Sequence, residues 1–382
     1  MKGSLLQLVS YGAENINING NPDITFFKKV YKRYVNFSIL NIEEPLNTNA
    51  NFNKTITVDI KKKGDYLSKI YLQVNLPYSS NDNSFWTNRV GFNLIKKAEL
   101  YIGNNLIEKI YGRWMYIYNN LNNSSEHIAI MDKLVGNNNL KSNLEQQLIV
   151  PLNFTFCNYY ETCIPLISLY NQTIKIKIYF NTIKDCHQTG IEPTGKLTNT
   201  SLLIDYIFIS DLEKKKILQN NYNMLYQNIE FIERNIISNS IKNISLPFNL
   251  PSKGLIFVIQ SKNNTGDKFI NFTNNNNKNL LKKLQFKINN DNVFSDGYKN
   301  SSYFNNIQSY KHLNTCPDIG INLLSFSFNP FILQPSGILN LKDIKKLNLF
   351  IESLEDGIIY IYSLGYNLLT FESGYVNTNY IF

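Results

Sequence analysis

Apolar and polar residues alternate with period two along much of this chain. Ile56, Val58 and Ile60 interleave with Thr55, Thr57 and Asp59, and Ile70, Leu72, Val74 and Leu76 with Lys69, Tyr71, Gln73 and Asn75. Ile174, Ile176, Ile178 and Phe180 repeat the pattern against Lys175, Lys177 and Tyr179, and Leu284, Phe286 and Ile288 against Lys283, Gln285 and Lys287. Successive side chains of a strand point to opposite faces, so each segment reads as a half-buried strand of an antiparallel sheet. About eight such runs are expected in the first half, near 24–39, 53–60, 66–76, 94–102, 106–111, 148–155, 173–180 and 201–210. The second half repeats the style near 227–233, 241–247, 254–260, 281–288, 321–328, 346–351 and 358–371, with a weaker run near 292–294. Short strands between Asn, Gly and Pro turns indicate sandwiches or barrels. About eight per half suits an all-β chain of two consecutive eight-stranded antiparallel jelly rolls with short connecting helices.

Between the halves, Asp211-Leu212-Glu213-Lys214-Lys215-Lys216-Ile217-Leu218-Gln219 lacks Gly and Pro and opens on a residue able to cap a helix. The domain boundary is placed there. A second short helix is expected to begin near Gly112 and run through Trp114 towards Leu121, and both helices are read as structural. The organisation expected is an N-terminal arm over 1–20, a first roll over 21–210, a helical linker over 211–224 and a second roll over 225–382. In the arm, Leu5, Leu6, Leu8 and Val9 are apolar, yet Gly3, Gly12 and Gly20 with Asn15, Asn17 and Asn19 interrupt any long strand or helix. Apolar residues on such a terminus point to docking on a neighbour; the alternative is a strand paired to its own domain.

Composition narrows the class. The chain has 382 residues, 43 % of them hydrophobic and 13 % aromatic, which supports a real core and excludes global disorder. Two domains are expected, one large all-β unit being the alternative. The 25 Tyr and 24 Phe favour strands, and the runs 274–277 and 137–139 of asparagine read as exposed loop tips. A net charge of +9 raises nucleic acid or an anionic membrane surface as partners. The lysines, however, are scattered, with short clusters only at Lys28-Lys29, Lys61–Lys63 and Lys214–Lys216, and no nucleic-acid motif accompanies them. No direct nucleic-acid contact is expected. Cys157, Cys163, Cys186 and Cys316 form no CxxC pair and read as free thiols of a reducing compartment. Met1-Lys2-Gly3 does not open a signal peptide, and no stretch reaches the ~18 apolar residues of a membrane span.

Catalytic chemistry finds little to work with. His127, His187 and His312 lie far apart, without the paired spacing a jelly-roll metal site uses. Walker, GxGxxG, GxSxG and HExxH motifs are missing. The loop Asn289–Gly297 is turn-rich but lacks the closing Glu of a calcium loop. Glu352, Glu355 and Asp356 precede Gly357 in what reads as a solvated hairpin turn. No enzyme activity and no cofactor are expected. N-x-[S/T] triplets such as Asn36-Phe37-Ser38, Asn171-Gln172-Thr173 and Asn271-Phe272-Thr273 are what an Asn-rich chain produces by chance.

A series of ordered blocks carries a resemblance. The opening Leu5-Leu6-Gln7-Leu8-Val9-Ser10-Tyr11-Gly12-Ala13 leads to Gly20-Asn21-Pro22-Asp23-Ile24-Thr25-Phe26-Phe27-Lys28. Later come Gly64–Pro77, Trp86, Val90–Gly103, Leu106-Ile107-Glu108-Lys109-Ile110-Tyr111-Gly112-Arg113-Trp114, Val150–Cys157, Ile164–Leu169 and Ser201–Ile207. The second half adds Phe248–Gln260, Ser302–Asn305, Pro317–Phe326 and the compact Gln334-Pro335-Ser336-Gly337. In order and spacing these blocks resemble the major capsid proteins of nucleocytoplasmic large DNA viruses over nearly the whole chain. Many relatives carry long insertions in the tower loops; here the connections 78–88, 181–199 and 261–279 are short or moderate, which puts tower-borne properties in doubt.

The resemblance implies a double jelly-roll capsid protein whose homotrimers form pseudo-hexagonal tiles of a large icosahedral shell. Implied partners are further copies of itself, neighbouring capsomers and minor capsid proteins, with an internal viral membrane surface also admitted. The implied location is the virion, after synthesis and assembly in the host cytoplasm or viral factory. Leu5, Leu6, Leu8, Val9, Tyr11, Trp86 and Trp114 are the candidate assembly contacts. Two alternatives stay open: a minor or divergent capsid or scaffold paralogue, and a glycan-binding jelly-roll lectin.

Overall fold

Residues of one strand meet two different environments. In Ile174–Phe180 the isoleucines and Phe180 are buried while Lys175, Lys177 and Tyr179 are half-buried. A computed structural model of the chain describes residues 2–10, 12–46, 50–78, 84–136, 145–189, 193–219, 221–262 and 269–378. The principal strands of the first half are β1 (Phe37–Pro45), β2 (Thr55–Ile60), β3 (Tyr66–Leu76), β4 (Ile95–Ile102), β5 (Asn105–Tyr111), β6 (Gln146–Pro151), β7 (Ile174–Phe180) and β8 (Thr198–Ile209). They form two antiparallel sheets, ordered β1-β8-β3-β6 and β2-β7-β4-β5. A short pair, Phe85–Trp86 with His187–Thr189, ties two of the connections together.

The second half contains β9 (Tyr222–Ile236), β10 (Ile241–Ser245), β11 (Pro251–Ser261), β12 (Leu281–Ile288), β13 (Asp291–Asn292), β14 (Asn322–Ser325), β15 (Leu347–Ser353) and β16 (Gly357–Glu372). Its sheets run β9-β16-β11-β14 and β10-β15-β12-β13. Each strand occupies the place of the strand eight numbers before it. The chain is therefore two jelly rolls of the same topology. Asparagines make several of its tight turns: Asn289 and Asn290 both have positive φ, 50° and 80°, the two-residue geometry that matches the twist of a hairpin.

One sheet serves two cores. Leu255, Phe257 and Ile259 of β11 and Ile359 and Ile361 of β16 pack with Leu284, Phe286, Leu349 and Ile351 inside the second roll. Their neighbours Ile256, Val258, Tyr360, Tyr362 and Leu364 belong to the cluster that fills the first roll. With both faces covered, these strands carry nearly unbroken apolar runs, unlike the alternating strands of the first roll. Helix Gly112–Asn122 lies in the shared cluster, its Trp114 ring 5.1 Å from Tyr362 and its Tyr118 ring 5.9 Å from Phe331. It starts at a glycine because a Cβ there would stand 2.1 Å from the Phe92 carbonyl and 2.2 Å from that of Ile95.

Several expectations shift. Of the run 24–39 only the end is strand, and pairing continues to Pro45 because β8 supplies partners that far; 24–36 pairs with nothing among the described residues. The linker helix spans Asp211–Gln219, but Asp211 is its first residue and the carbonyl of Ser210 receives the first amides. An additional helix, Ser125–Val135, is capped by Ser124, whose hydroxyl accepts from the His127 amide. Only Met131 and Val135 of it are buried, too narrow a stripe to stand out in the sequence.

The chain divides into two compact units, Met1–Asn36 and Phe37–Phe382. The first, taken by itself, has a helix at Lys2–Val9, a 3-10 turn at Ala13–Asn15 and one helical turn at Ile16–Asn19, followed by irregular chain. Its described residues are exposed except Asn15, which is half-buried. Gly3 does not prevent the eight-residue helix.

Candidate assembly surfaces and the junction between the rolls

Polar side chains from both halves converge where the two rolls meet. Asp318 Oδ2 accepts from the Tyr116 hydroxyl at 2.5 Å and from Asn120 Nδ2 at 2.6 Å, and the Asp318 amide donates to Asn120 Oδ1 at 2.9 Å. Arg89 Nε donates to Asp132 at 2.5 Å while its guanidinium lies 5.0 Å from the Tyr116 ring centre and 3.9 Å from Asp318 Oδ2. Beside the helix, Arg113 stacks 3.8 Å over Tyr360 and donates to Gln260 Oε1 at 3.1 Å. A cleft of about 570 Å³ opens there, lined among others by Lys97, Tyr111, Phe231 and Glu233. Its charges are partly spoken for, since Lys97 pairs with Glu99 at 2.7 Å.

Two buried ionisable groups stand nearby. Glu108 accepts from the Thr155 amide at 3.1 and 3.0 Å, and burial pushes its carboxyl up to about 8 despite those bonds. Thr155 Oγ1 donates to the Gln227 carbonyl across the junction at 2.7 Å and, at the longer distance of 3.3 Å, to Glu108 Oε1. In the second roll, Lys253 is buried with Nζ donating to the Ile332 carbonyl at 2.8 Å and lying 4.9 Å from the Tyr366 ring centre; burial lowers its ammonium to about 7.

Lys253 also explains the Gln334–Gly337 block. The loop carrying it is pinned at the Phe331 carbonyl by the Tyr159 hydroxyl, at Ile332 by Lys253 and at Leu333 by the Tyr366 hydroxyl, 2.9 Å away. Ser336 closes it by accepting from the amides of Phe328 and Asn329. Phe328, 79 % exposed, stands on that rigid base.

The candidate contacts fall into two groups. Leu5, Leu6, Leu8 and Val9 lie on helix Lys2–Val9 and are 61–79 % exposed, with Leu5, Leu8 and Val9 at the i, i+3, i+4 spacing of one helix face. Tyr11 lies outside the described residues. Trp86 and Trp114 are corrected by the structure: both are enclosed in the subunit, Trp86 against Phe52 and His187 and Trp114 against Tyr118 and Tyr362. They hold core and junction and present no surface to a neighbour. Sequence reasoning missed β1, whose Phe37, Ile39 and Leu40 are about half exposed, because the exposure of a strand is set by segments far away in the chain.

Reactive side chains do not gather. Among the described residues no group of three or more His, Cys, Asp and Glu is placed to hold a metal ion, and no helix is long and apolar enough to cross a membrane. Glu352 is held by Lys282 and Lys283 at 2.6 and 3.0 Å, Asp356 accepts from the Ser238 amide and Glu355 from the Ser261 hydroxyl. Each of those carboxylates has a structural partner. What the geometry offers is a duplicated framework with a rigid junction and apolar surface.

Known proteins agree with that framework. Residues 25–213 match the family described as the major capsid protein N-terminus, and residues 213–376 the family described as the large eukaryotic DNA virus major capsid protein. The major capsid protein of Pyramimonas orientalis virus is 30 % identical over 98 % of both chains, and that of Paramecium bursaria Chlorella virus 1 is 28 % identical over 91 % of this chain and 87 % of its own. Among solved structures, the PBCV-1 virus capsid chain superposes with a TM-score of 0.84 at 23 % identity, covering 94 % of this chain and 100 % of that one. The Faustovirus major capsid protein gives 0.77 at 11 % identity over 97 % and 96 %. The chain belongs to the major capsid protein family of large eukaryotic DNA viruses, as a structural component of the capsid.

Proposed function

We propose that this chain is the repeating tile of an icosahedral virion shell, built as a homotrimer with a pseudo-hexagonal outline. The observation that carries the reading is the repeated strand order in one body with a shared core. A threefold axis acting on a duplicated subunit produces six similar lobes. Neighbouring capsomers and minor capsid proteins complete the shell in the host cytoplasm or viral factory, and the arm over 1–20 contributes contacts through Leu5, Leu6, Leu8 and Val9. The linker helix Asp211–Gln219 joins the first roll, β1 to β8, to the second, β9 to β16. Work is done by burial and shape complementarity, with no bond made or broken and no metal held. Negative-stain microscopy of the purified protein tests this: compact pseudo-hexagonal trimers are expected, and particles that remain single two-lobed subunits at micromolar concentration overturn it. Copy number in purified particles separates a major from a minor capsid role.

A further inference from the structure

We infer that the free edge of β1 is completed by the segment 24–36 of a second copy of this chain. β1 hydrogen-bonds only to β8, in unbroken register from Phe37↔Ile209 to Pro45↔Ser201, so among the described residues its other edge has no strand partner. Open edges are normally blunted by lysines, bulges or prolines. β1 has no lysine and no register shift, and its one proline is its last residue. Its surface is also the wrong kind for water. Phe37, Ile39 and Leu40 are 52, 48 and 52 % exposed, and they lie on both faces of the strand. Other edge strands differ: β2 exposes Thr55, Thr57 and Asp59, and β10 exposes Ile241 beside Lys242 and Asn243.

The segment 24–36 has the matching chemistry. It contains no Gly and no Pro, and it is rich in aromatic and β-branched residues that favour strands. Phe26 is 94 % and Phe27 99 % exposed, with Val30, Tyr31 and Tyr34 also exposed. Its charges are Lys28, Lys29, Lys32 and Arg33 without an acid, whereas β1 exposes the acid Glu43; its other acid, Glu44, is buried against Lys63 at 3.0 Å, and Asp205 of β8 accepts from Asn41. Strand addition supplies backbone hydrogen bonds, with side chains on both faces giving specificity. Because donor segment and acceptor edge are different surfaces, the contact is head-to-tail, and three copies close it into a ring. The inference rests on the self-association proposed above only for that number.

Two full-length versions, co-expressed with different tags, test it. One carries benzoylphenylalanine in place of Phe27; the other carries Ser38→Thr, which marks its β1 peptide by mass. Irradiation of the co-purified protein is expected to join the probe to the marked peptide spanning 37–45. Adding Ile39→Lys and Leu40→Lys to the acceptor should lower that capture about tenfold. Trimers in which the probe captures another segment, only its own chain or nothing overturn this contact and leave the proposed tile standing. A chain that stays monomeric overturns both.

Discussion

The hydroxyl of Tyr116 donates to Asp318 at 2.5 Å although 202 residues separate the two. Tyr116 belongs to the helix wedged between the rolls and Asp318 to the turn before β14, so the bond ties the two halves together across the junction. Asp318→Ala leaves that hydroxyl and Asn120 Nδ2 without their acceptor. An expected loss of ~1–3 kcal/mol should appear in denaturant unfolding, with Asp318→Asn losing less. Hydrogen exchange should localise the loosening to helix Gly112–Asn122; unchanged protection there contradicts the role assigned to the pair.

Gly112→Ala is expected to be among the most damaging single changes. The added Cβ would meet backbone carbonyls at 2.1 and 2.2 Å, and backbone cannot swing aside as a flexible side chain can. A loss above ~4 kcal/mol, read as failure to accumulate soluble protein, is expected. Alanine at Gly3, where nothing lies within 4 Å, should be harmless to folding.

Trp114→Ala and Leu5→Ala should separate core from surface. Trp114 is buried against Tyr362, so truncation is expected to cost ~3–5 kcal/mol in unfolding measurements. Leu5 is 61 % exposed, and its truncation should leave the unfolding midpoint within error. Deleting residues 1–20 is expected to leave trimers folded and to impair assembly beyond them, as light scattering of assembly reactions can show. A deletion that prevents folding would place the arm in the core.

Glu108 and Lys253 should give opposite pH slopes. Folded Glu108 holds its proton to about 8, whereas an unfolded carboxyl releases it near 4.5, so its contribution to stability falls as pH rises between those values. Glu108→Gln should therefore gain on the native protein across that window. Folded Lys253 releases its proton near 7 and the unfolded side chain near 10.5, so the native protein regains stability as pH rises between them. Lys253→Met should compare best with the native protein below pH 7 and lose ground towards pH 10, where the Ile332 carbonyl simply lacks its donor. Unfolding midpoints of the two variants across pH 5–10 provide the measurement, and parallel curves would refute both assignments.

The sequence by itself determined most of the strands, their division into two similar halves and the helices at Gly112 and Asp211, while placing a strand over 24–36 that does not form and missing the helix Ser125–Val135. Period-two alternation follows from the geometry of a single strand, and glycine or asparagine at a turn acts through its own backbone, so both are written locally. The blocks carrying the family resemblance are likewise contiguous. Only the tertiary structure decided which surfaces cover which. Phe257 and Val258 are neighbours in one apolar run, yet one faces the core of its own roll and the other the core shared with the first. Nothing in their run distinguishes them, because the covering residues come from segments far away in the chain. The same holds for Trp86 and Trp114, which resemble contact residues until distant aromatics are seen to enclose them, and for β1, whose exposed apolar edge is defined by what does not pack on it. Burial is a property of pairs of segments; periodicity is a property of one.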